Sequence, residues 1–189
     1  MQKELSKMSL EELWQLFPIE LTEHNNEWKE WYDDEYKNLR KILDDIKITR
    51  ISHIGSTAIN EIWAKPTVDI LIEIKNKSDF DSVKSLLLES GYLCMSKSNT
   101  RMVFNKGYTK YGFAERVFHI HIRLSGDNDE LYFRDFMNDN YQLAKEYEKL
   151  KLSLWKQYEH NRDAYTNAKT KFVEFYTKQA KMIYGNKYK

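Results

Sequence analysis

The stretch Ile51-Ser52-His53-Ile54-Gly55-Ser56-Thr57, followed by Lys65-Pro66-Thr67-Val68-Asp69-Ile70, constrains this chain more than any other. It reads as a strand, a tight Gly-Ser turn, a short connector and a second strand carrying an acid. Glycine has no side chain to block an approaching phosphate. The backbone N–H groups after such a turn, with the Ser56 and Thr57 hydroxyls, can cradle phosphate oxygens. An acid on the next strand can hold a divalent metal against those same phosphates. These are the parts of a nucleotidyl-transfer site.

The rest of the chain supplies a frame for that unit. Ser9-Leu-Glu-Glu12 is a capping box opening a short helix that Phe17-Pro18 ends. From about Asn26 to Asp45, Trp28, Trp31, Tyr32, Tyr36, Leu39, Ile42 and Leu43 recur at helical steps, an aromatic face of the kind that packs into a core. Ile46 to Ile54 and Thr67 to Lys75 read as strands. Ser78 to Asp81 reads as the cap of a helix that stops at Gly91. Tyr92–Ser96, Arg101–Phe104 and Val117–Leu124 are further strands. From Asp129 the chain is helical, with breaks near Asn138–Asn140 and Asn161–Asp163. The expected fold class is α+β: a small mixed β-sheet with packed helices and a helical C-terminal region. All 189 residues are read as one domain, with an extra N-terminal helix over 1–19 and C-terminal helices over 129–184.

Composition narrows the class further. With 41% apolar and 31% charged residues the chain is ordinary for a globular protein. No apolar run approaches the roughly 18 residues of a transmembrane helix, and the first residues lack a signal-peptide core. Cys94 is the only cysteine, so no internal disulfide forms, and a cytoplasmic location is expected. The net charge of +1 hides an asymmetry: residues 145–189 carry eleven Lys or Arg against five Asp or Glu. Acids alternate with these bases at helical spacing, which reads as a solvated face, and nucleic acid is not the expected partner.

Strand alternation puts Asp69, Leu71 and Glu73 on one face. His119 and His121 share a face of their own strand, with Arg123 beyond. If the two strands are neighbours, Asp69 and the two imidazoles can form a divalent-metal shell. Paired histidines on a strand are also common as hydrogen-bonded structural residues, so both readings stay open. Lys65, before the rigid Pro66, can neutralise a phosphate, and Arg101 and Lys106 can add charge to the same pocket. His53 is read as orienting the Gly-Ser turn. There is no Walker loop, dinucleotide fingerprint, nucleophile elbow or Cys-x-x-Cys.

His53-Ile-Gly-Ser-Thr-Ala58 with Ala64-Lys-Pro-Thr-Val-Asp-Ile70 resembles the signature of the GrpB-like family, placed within the nucleotidyltransferase superfamily. Glu27-Trp28 to Leu43, Arg101 to Gly107, Phe118-His-Ile-His121, Phe133 to Phe136, Tyr147 to Lys151 and Asp163 to Lys169 extend the resemblance over roughly residues 20–184. It implies a nucleotidyltransferase-like core. The expected ligand is a nucleoside triphosphate at Gly55, Ser56, Thr57, Lys65 and Arg101. Asp69 is the catalytic acid, and Asp69, His119 and His121 are the metal ligands. The family has no settled reaction to carry over. Two departures stand out. The superfamily's second acid falls at Leu71, and the third corresponds to His119 or His121, a set suited to Mn²⁺, Zn²⁺ or Ni²⁺ more than Mg²⁺. Ile59-Asn-Glu-Ile62 stands where many relatives have a Val-Pro-Gly-Leu-like turn. Nucleotidyl transfer to an unknown acceptor and a non-catalytic nucleotide- or metal-binding or interaction module with a degenerate site are the two readings left open.

Overall fold

Alternation along the second strand decides the architecture. In β2 (Val68–Ile74), Val68, Ile70, Ile72 and Ile74 are all fully buried on one face, while Asp69, Leu71 and Glu73 occupy the other. The computed structural model describes residues 3–189 and builds a five-stranded mixed sheet around this strand. Its order is β1 (Ile48–Ile54), β2, β5 (Gly112–Leu124), β4 (Arg101–Thr109) and β3 (Leu93–Lys97). Only β2 and β5 run parallel, in a register that sets Asp69 beside His119, Leu71 beside His121 and Glu73 beside Arg123.

The isoleucine face packs on α2 (Glu27–Ile42) and α3 (Phe80–Glu89). Trp28, Trp31, Leu39, Val83 and Leu87 are buried there and Tyr32 packs against them, so the aromatic stripe of α2 is core except at Tyr36, which is exposed. Each such apolar side chain contributes roughly 1.5–3 kcal/mol on burial. The opposite face carries α4 (Asp129–Asp139), α5 (Tyr141–Tyr158) and α6 (Arg162–Tyr184). These helices close over the β1–β2 connector through Ile59, Ile62, Phe133, Met137 and Tyr147. The helical breaks expected near Asn140 and Asn161 are present; Asn161 caps α6 by accepting from the Ala164 N–H at 3.0 Å. The capping box at Ser9 and Glu12 opens α1 (Leu10–Leu16). Met1 and Gln2 of the expected N-terminal 1–19 unit lie outside the described residues.

Three local expectations are corrected. Ser78 does not cap α3; a 3₁₀ turn over Lys77–Asp79 precedes it, and the Ser78 hydroxyl donates to Asp79 instead. The strand expected at Val117 begins at Gly112, because β4 and β5 form a hairpin whose exposed arm, Phe113 to Arg116, lacks the apolar pattern of a buried strand. The connector departure has a backbone cost. Glu61, where the family resemblance implies a glycine, holds φ 59°, a left-handed conformation that disfavours a side chain by about 1–2 kcal/mol. Glu61→Gly is expected to raise unfolding free energy by about 0.5–1 kcal/mol, because relief of that strain exceeds glycine's extra chain entropy. Equal or lower stability in chemical denaturation would refute this.

Candidate functional site

Gly55 follows β1 with φ 73° and ψ −171°, a region open essentially to glycine alone. A Cβ there would lie 2.4 Å from Asp69 Oδ2. The turn and the acid are therefore in direct apposition, as the sequence spacing suggested. Ser56 opens a short 3₁₀ turn and faces the same space. Thr57 does not: it is buried, donates to the Thr67 carbonyl at 3.2 Å, and its hydroxyl lies 2.9 Å from His53 Nε2. It braces the turn and has no hydroxyl left for a phosphate. His53 stacks on Tyr32 at 5.0 Å, and burial pushes its imidazole down to about 4, so it serves this bracing as a neutral group.

The parallel register brings the two histidines to the acid. His121 Nε2 lies 3.1 Å and His119 Nδ1 3.3 Å from Asp69 Oδ1. Burial alone would raise the Asp69 carboxyl, but hydrogen bonds from both imidazoles hold it well below the usual carboxylate range. Burial pushes His119 down despite Asp69, so it acts as a neutral donor through Nδ1. Its Nε2 then accepts from the Tyr108 hydroxyl at 2.8 Å, and Arg162 donates to that hydroxyl oxygen at 2.9 Å. A bulge makes this contact possible. Met102, Phe104 and Lys106 lie on the α2 side of β4, and the register shift between Lys106 and Tyr108 carries Tyr108 to the opposite face, beside His119.

The sheet and the C-terminal helices enclose a cavity of about 820 Å³ with Gly55, Ser56 and Asp69 at its floor. Lys65 enters from the connector, Lys151 from α5, and Arg162 and Lys169 from α6. Tyr147 and Tyr165 form the aromatic wall; Lys169 sits 4.2 Å from the Tyr165 ring centre. Burial pushes Lys65 down to about 7, with repulsion from Lys169 and Arg162 adding to it. Burial and Lys169 push Lys151 to about 7, although its ammonium donates to the Trp63 carbonyl. Lys169 is pushed by burial to about 8, against the pull of Asp69. Buried cations of depressed basicity set close together mark this cavity as a candidate functional site.

Several sequence expectations are redirected. Arg101 is at the far end of β4 and makes a two-pronged ion pair with Asp127 at 2.7 Å; it does not line the cavity. Lys106 pairs with buried Glu35 on the other side of the sheet, at 2.8 Å. The second-acid position, Leu71, is fully buried between Ile54 and Leu131. Glu73 accepts from Gly126 N–H and Asn128 and pairs with Arg50 at 3.0 Å, so it cannot substitute. The C-terminal basic segment is a solvated face at Lys149, Lys156 and Lys171, but not at Lys151, Arg162 and Lys169. The missed signal was spacing: Tyr147 with Lys151, and Arg162 with Tyr165 and Lys169, repeat at helical steps as aromatic-plus-cation faces.

As they stand, no three His, Cys, Asp or Glu side chains among the described residues are arranged to hold a metal ion. Asp69, His119 and His121 are residues of the type that could hold one, but here both imidazoles stand at hydrogen-bond distance from Asp69 Oδ1, 3.1 and 3.3 Å, so an ion would have to replace the bridging hydrogens. His121 Nδ1 is buried with no partner, leaving that ring free of a competing hydrogen bond.

Known proteins share this arrangement of elements. The sequence is 33% identical over 161 residues to the glutamate-rich protein GrpB of Alkalihalophilus pseudofirmus, covering 82% of this chain and 91% of that protein. It is 28% identical to the UPF0157 protein YqkA of Bacillus subtilis, over 86% of this chain but 47% of that longer protein. The structure superposes on conserved protein GrpB from Enterococcus faecalis with a TM-score of 0.76 at 25% identity, covering 87% and 99% of the two chains. It also superposes on the Cid1 poly(U) polymerase in its Mg 3′-dATP-bound form, with a TM-score of 0.51 and 12% identity, over 84% of this chain and 51% of that one, a likeness of nucleotidyltransferase fold alone. No helix among the described residues is long and apolar enough to cross a membrane. With the pattern of the family described as GrpB protein matching residues 18–179, the chain belongs to the GrpB family.

Proposed function

We propose that the cavity binds a nucleoside triphosphate together with a divalent metal, and that the bound nucleotide is a donor for nucleotidyl transfer. The observation that carries this reading is the convergence of Lys65, Lys151, Arg162 and Lys169 on the space above the Gly55–Ser56 turn and Asp69. Asp129, Glu130, Asp163 and Glu174 also line the cavity, but Asp129 pairs with Lys181 and Glu130 with Arg123, and the four cations around the turn and Asp69 match a polyphosphate. The Gly55–Ser56 turn would take the terminal phosphates by close backbone approach, Lys169 would neutralise them, and Lys65 would stand at the α-phosphate. Asp69, His119 and His121 would hold the metal, which when bound supplies Lewis-acid polarisation of a phosphate. The aromatic wall of Tyr147 and Tyr165 would exclude water and orient the nucleoside. An acceptor attacking the α-phosphorus would displace pyrophosphate.

A second reading, binding without turnover, is favoured by one feature. Leu71 is sealed by Ile54 and Leu131, so the paired carboxylates of a two-metal site are not assembled.

A fluorescent triphosphate titrated with Mn²⁺ tests the common part. Lys65→Ala combined with Lys169→Ala is expected to weaken binding by at least about tenfold, since each charged contact is worth roughly 1.5–3 kcal/mol. Arg101→Ala is expected to leave it within about twofold, because that guanidinium is spent on Asp127. No wild-type affinity in the millimolar range, or indifference to the lysine pair, would dismiss the proposal. Pyrophosphate release over a panel of acceptors separates transfer from mere binding.

A further inference from the structure

A smaller cavity of about 130 Å³ lies behind the main one and shares Lys65, Thr67 and Arg162 with it. Its outer wall is the N-terminal strip and the arm of the β4–β5 hairpin. Phe17, Ile19 and Leu21 turn inward and are almost fully buried, which leaves Pro18 and Glu20 facing this space. The strip is tacked down by the Ile19 N–H donating to the Glu159 carbonyl at 2.8 Å and by the Thr22–Ala64 bridge. Phe113 and Val117 add apolar wall, and Glu115 joins Glu20 at the rim.

The charges around this pocket are unusual in what they lack. Lys65 and Arg162 stand at its inner end and Glu20 and Glu115 at its mouth, yet none of the four has an ion-pair partner within 4.0 Å among the described residues. Arg162 donates only to the Tyr108 hydroxyl and, at 3.5 Å, the Phe17 carbonyl. Two cations without an ion-pair partner and two solvent-exposed carboxylates thus line one volume of about four waters, together with proline and aromatic walls. The complement of that pattern is a short molecule with an anionic end, an apolar middle and a cationic end.

We propose that this pocket is the acceptor site and that it takes a small amino-acid-type zwitterion, carboxylate inward and ammonium at the Glu20–Glu115 rim. The acceptor role rests on the nucleotide-donor reading above. Its position suits the chemistry, since Lys65, Thr67 and Arg162 line both this pocket and the cavity that would hold the triphosphate. One carboxylate oxygen attacks the α-phosphorus, an O–P bond forms, the bond from the α-phosphorus to the bridging oxygen breaks, and pyrophosphate leaves with that electron pair. The product is an acyl nucleotidylate. A carboxylate arrives already deprotonated, so no general base is required, and Asp69 remains free to hold a cation.

The test uses the full chain without nucleotide first. Alanine, β-alanine and 4-aminobutyrate are titrated calorimetrically beside propionate and propylamine at matched ionic strength. At least one zwitterion is expected to bind ten or more times tighter than either single-ended control. The Glu20→Gln/Glu115→Gln variant is expected to lose that advantage while keeping its affinity for propionate and, since both positions are exposed, its wild-type melting temperature. Zwitterions no tighter than propionate, or a double variant that still prefers them, would overturn the pocket assignment. Triphosphate and the best zwitterion are then combined with hydroxylamine; hydroxamate formation supports the acceptor role. Triphosphate and zwitterion both bound with no hydroxamate would overturn it. Triphosphate failing to bind sinks the donor reading, and the nucleotide-free titration still decides the pocket.

Discussion

Gly55→Ala is expected to cost about 2–6 kcal/mol of stability and to abolish triphosphate binding together. Two independent terms produce the loss. The backbone at Gly55 occupies a region where a side chain costs about 1–3 kcal/mol. The new methyl would also overlap Asp69 Oδ2, which must then leave His119 and His121, and overpacking of this kind typically adds about 1–3 kcal/mol. Displacing Asp69 removes the acceptor that the two imidazoles share, so the floor of the cavity rearranges even if the chain still folds. Denaturant unfolding and triphosphate titration on the same protein check both halves. A variant of wild-type stability that keeps its nucleotide affinity would show that the turn and the acid are not in the apposition described.

The second large effect is a pH dependence of binding. Lys65 and Lys151 are pushed down to about 7 and Lys169 to about 8, chiefly by burial. A polyphosphate beside them stabilises their charged forms and raises them again. The sign follows from linkage: binding takes up protons, is strongest below the free-state values near 7, and weakens as pH rises through the higher bound-state values. Affinity is expected to fall by one to three decades per pH unit between about pH 8 and 9, depending on how many of the three lysines engage. The triphosphate itself is fully ionised there, its last proton leaving near pH 6. Burial moves Tyr147 up to about 12 and Asp69 stays far below, so the window belongs to the lysines. Calorimetry in two buffers of different ionisation enthalpy measures the proton uptake directly. A flat profile from pH 7 to 9 would refute the anion-site reading.

Most of the sheet face was legible in the sequence because it obeys short-range rules. The Gly-Ser turn announces its own geometry, and strand alternation places Asp69, His119 and His121 on defined faces. Whether those faces met depended on pairing, which no local rule supplies; the parallel β2–β5 register answered it. Arg101 misled because a cation near a site in sequence says nothing of the acid waiting for it at residue 127. Thr57 misled because a hydroxyl has two possible customers, ligand and backbone, and the buried one prevailed. The cations of α5 and α6 were hidden for the opposite reason. Their spacing was visible, but an exposed helix and one docked over a cavity share the same mixture of charges. Tyr108 could not be placed without the bulge that moves it across the sheet.

The burial of Leu71 between Ile54 and Leu131 has a consequence for how this lineage can change. A Leu71→Asp change would bring a charge into a sealed apolar contact with no partner, and a folded protein tolerates that poorly. The neighbours would have to shrink or turn polar first, loosening α4 from the sheet while nothing was yet gained. Leu71 therefore locks its position: an acid is admitted there only after the surrounding contacts have already changed, so a second carboxylate beside Asp69 is not a single substitution away.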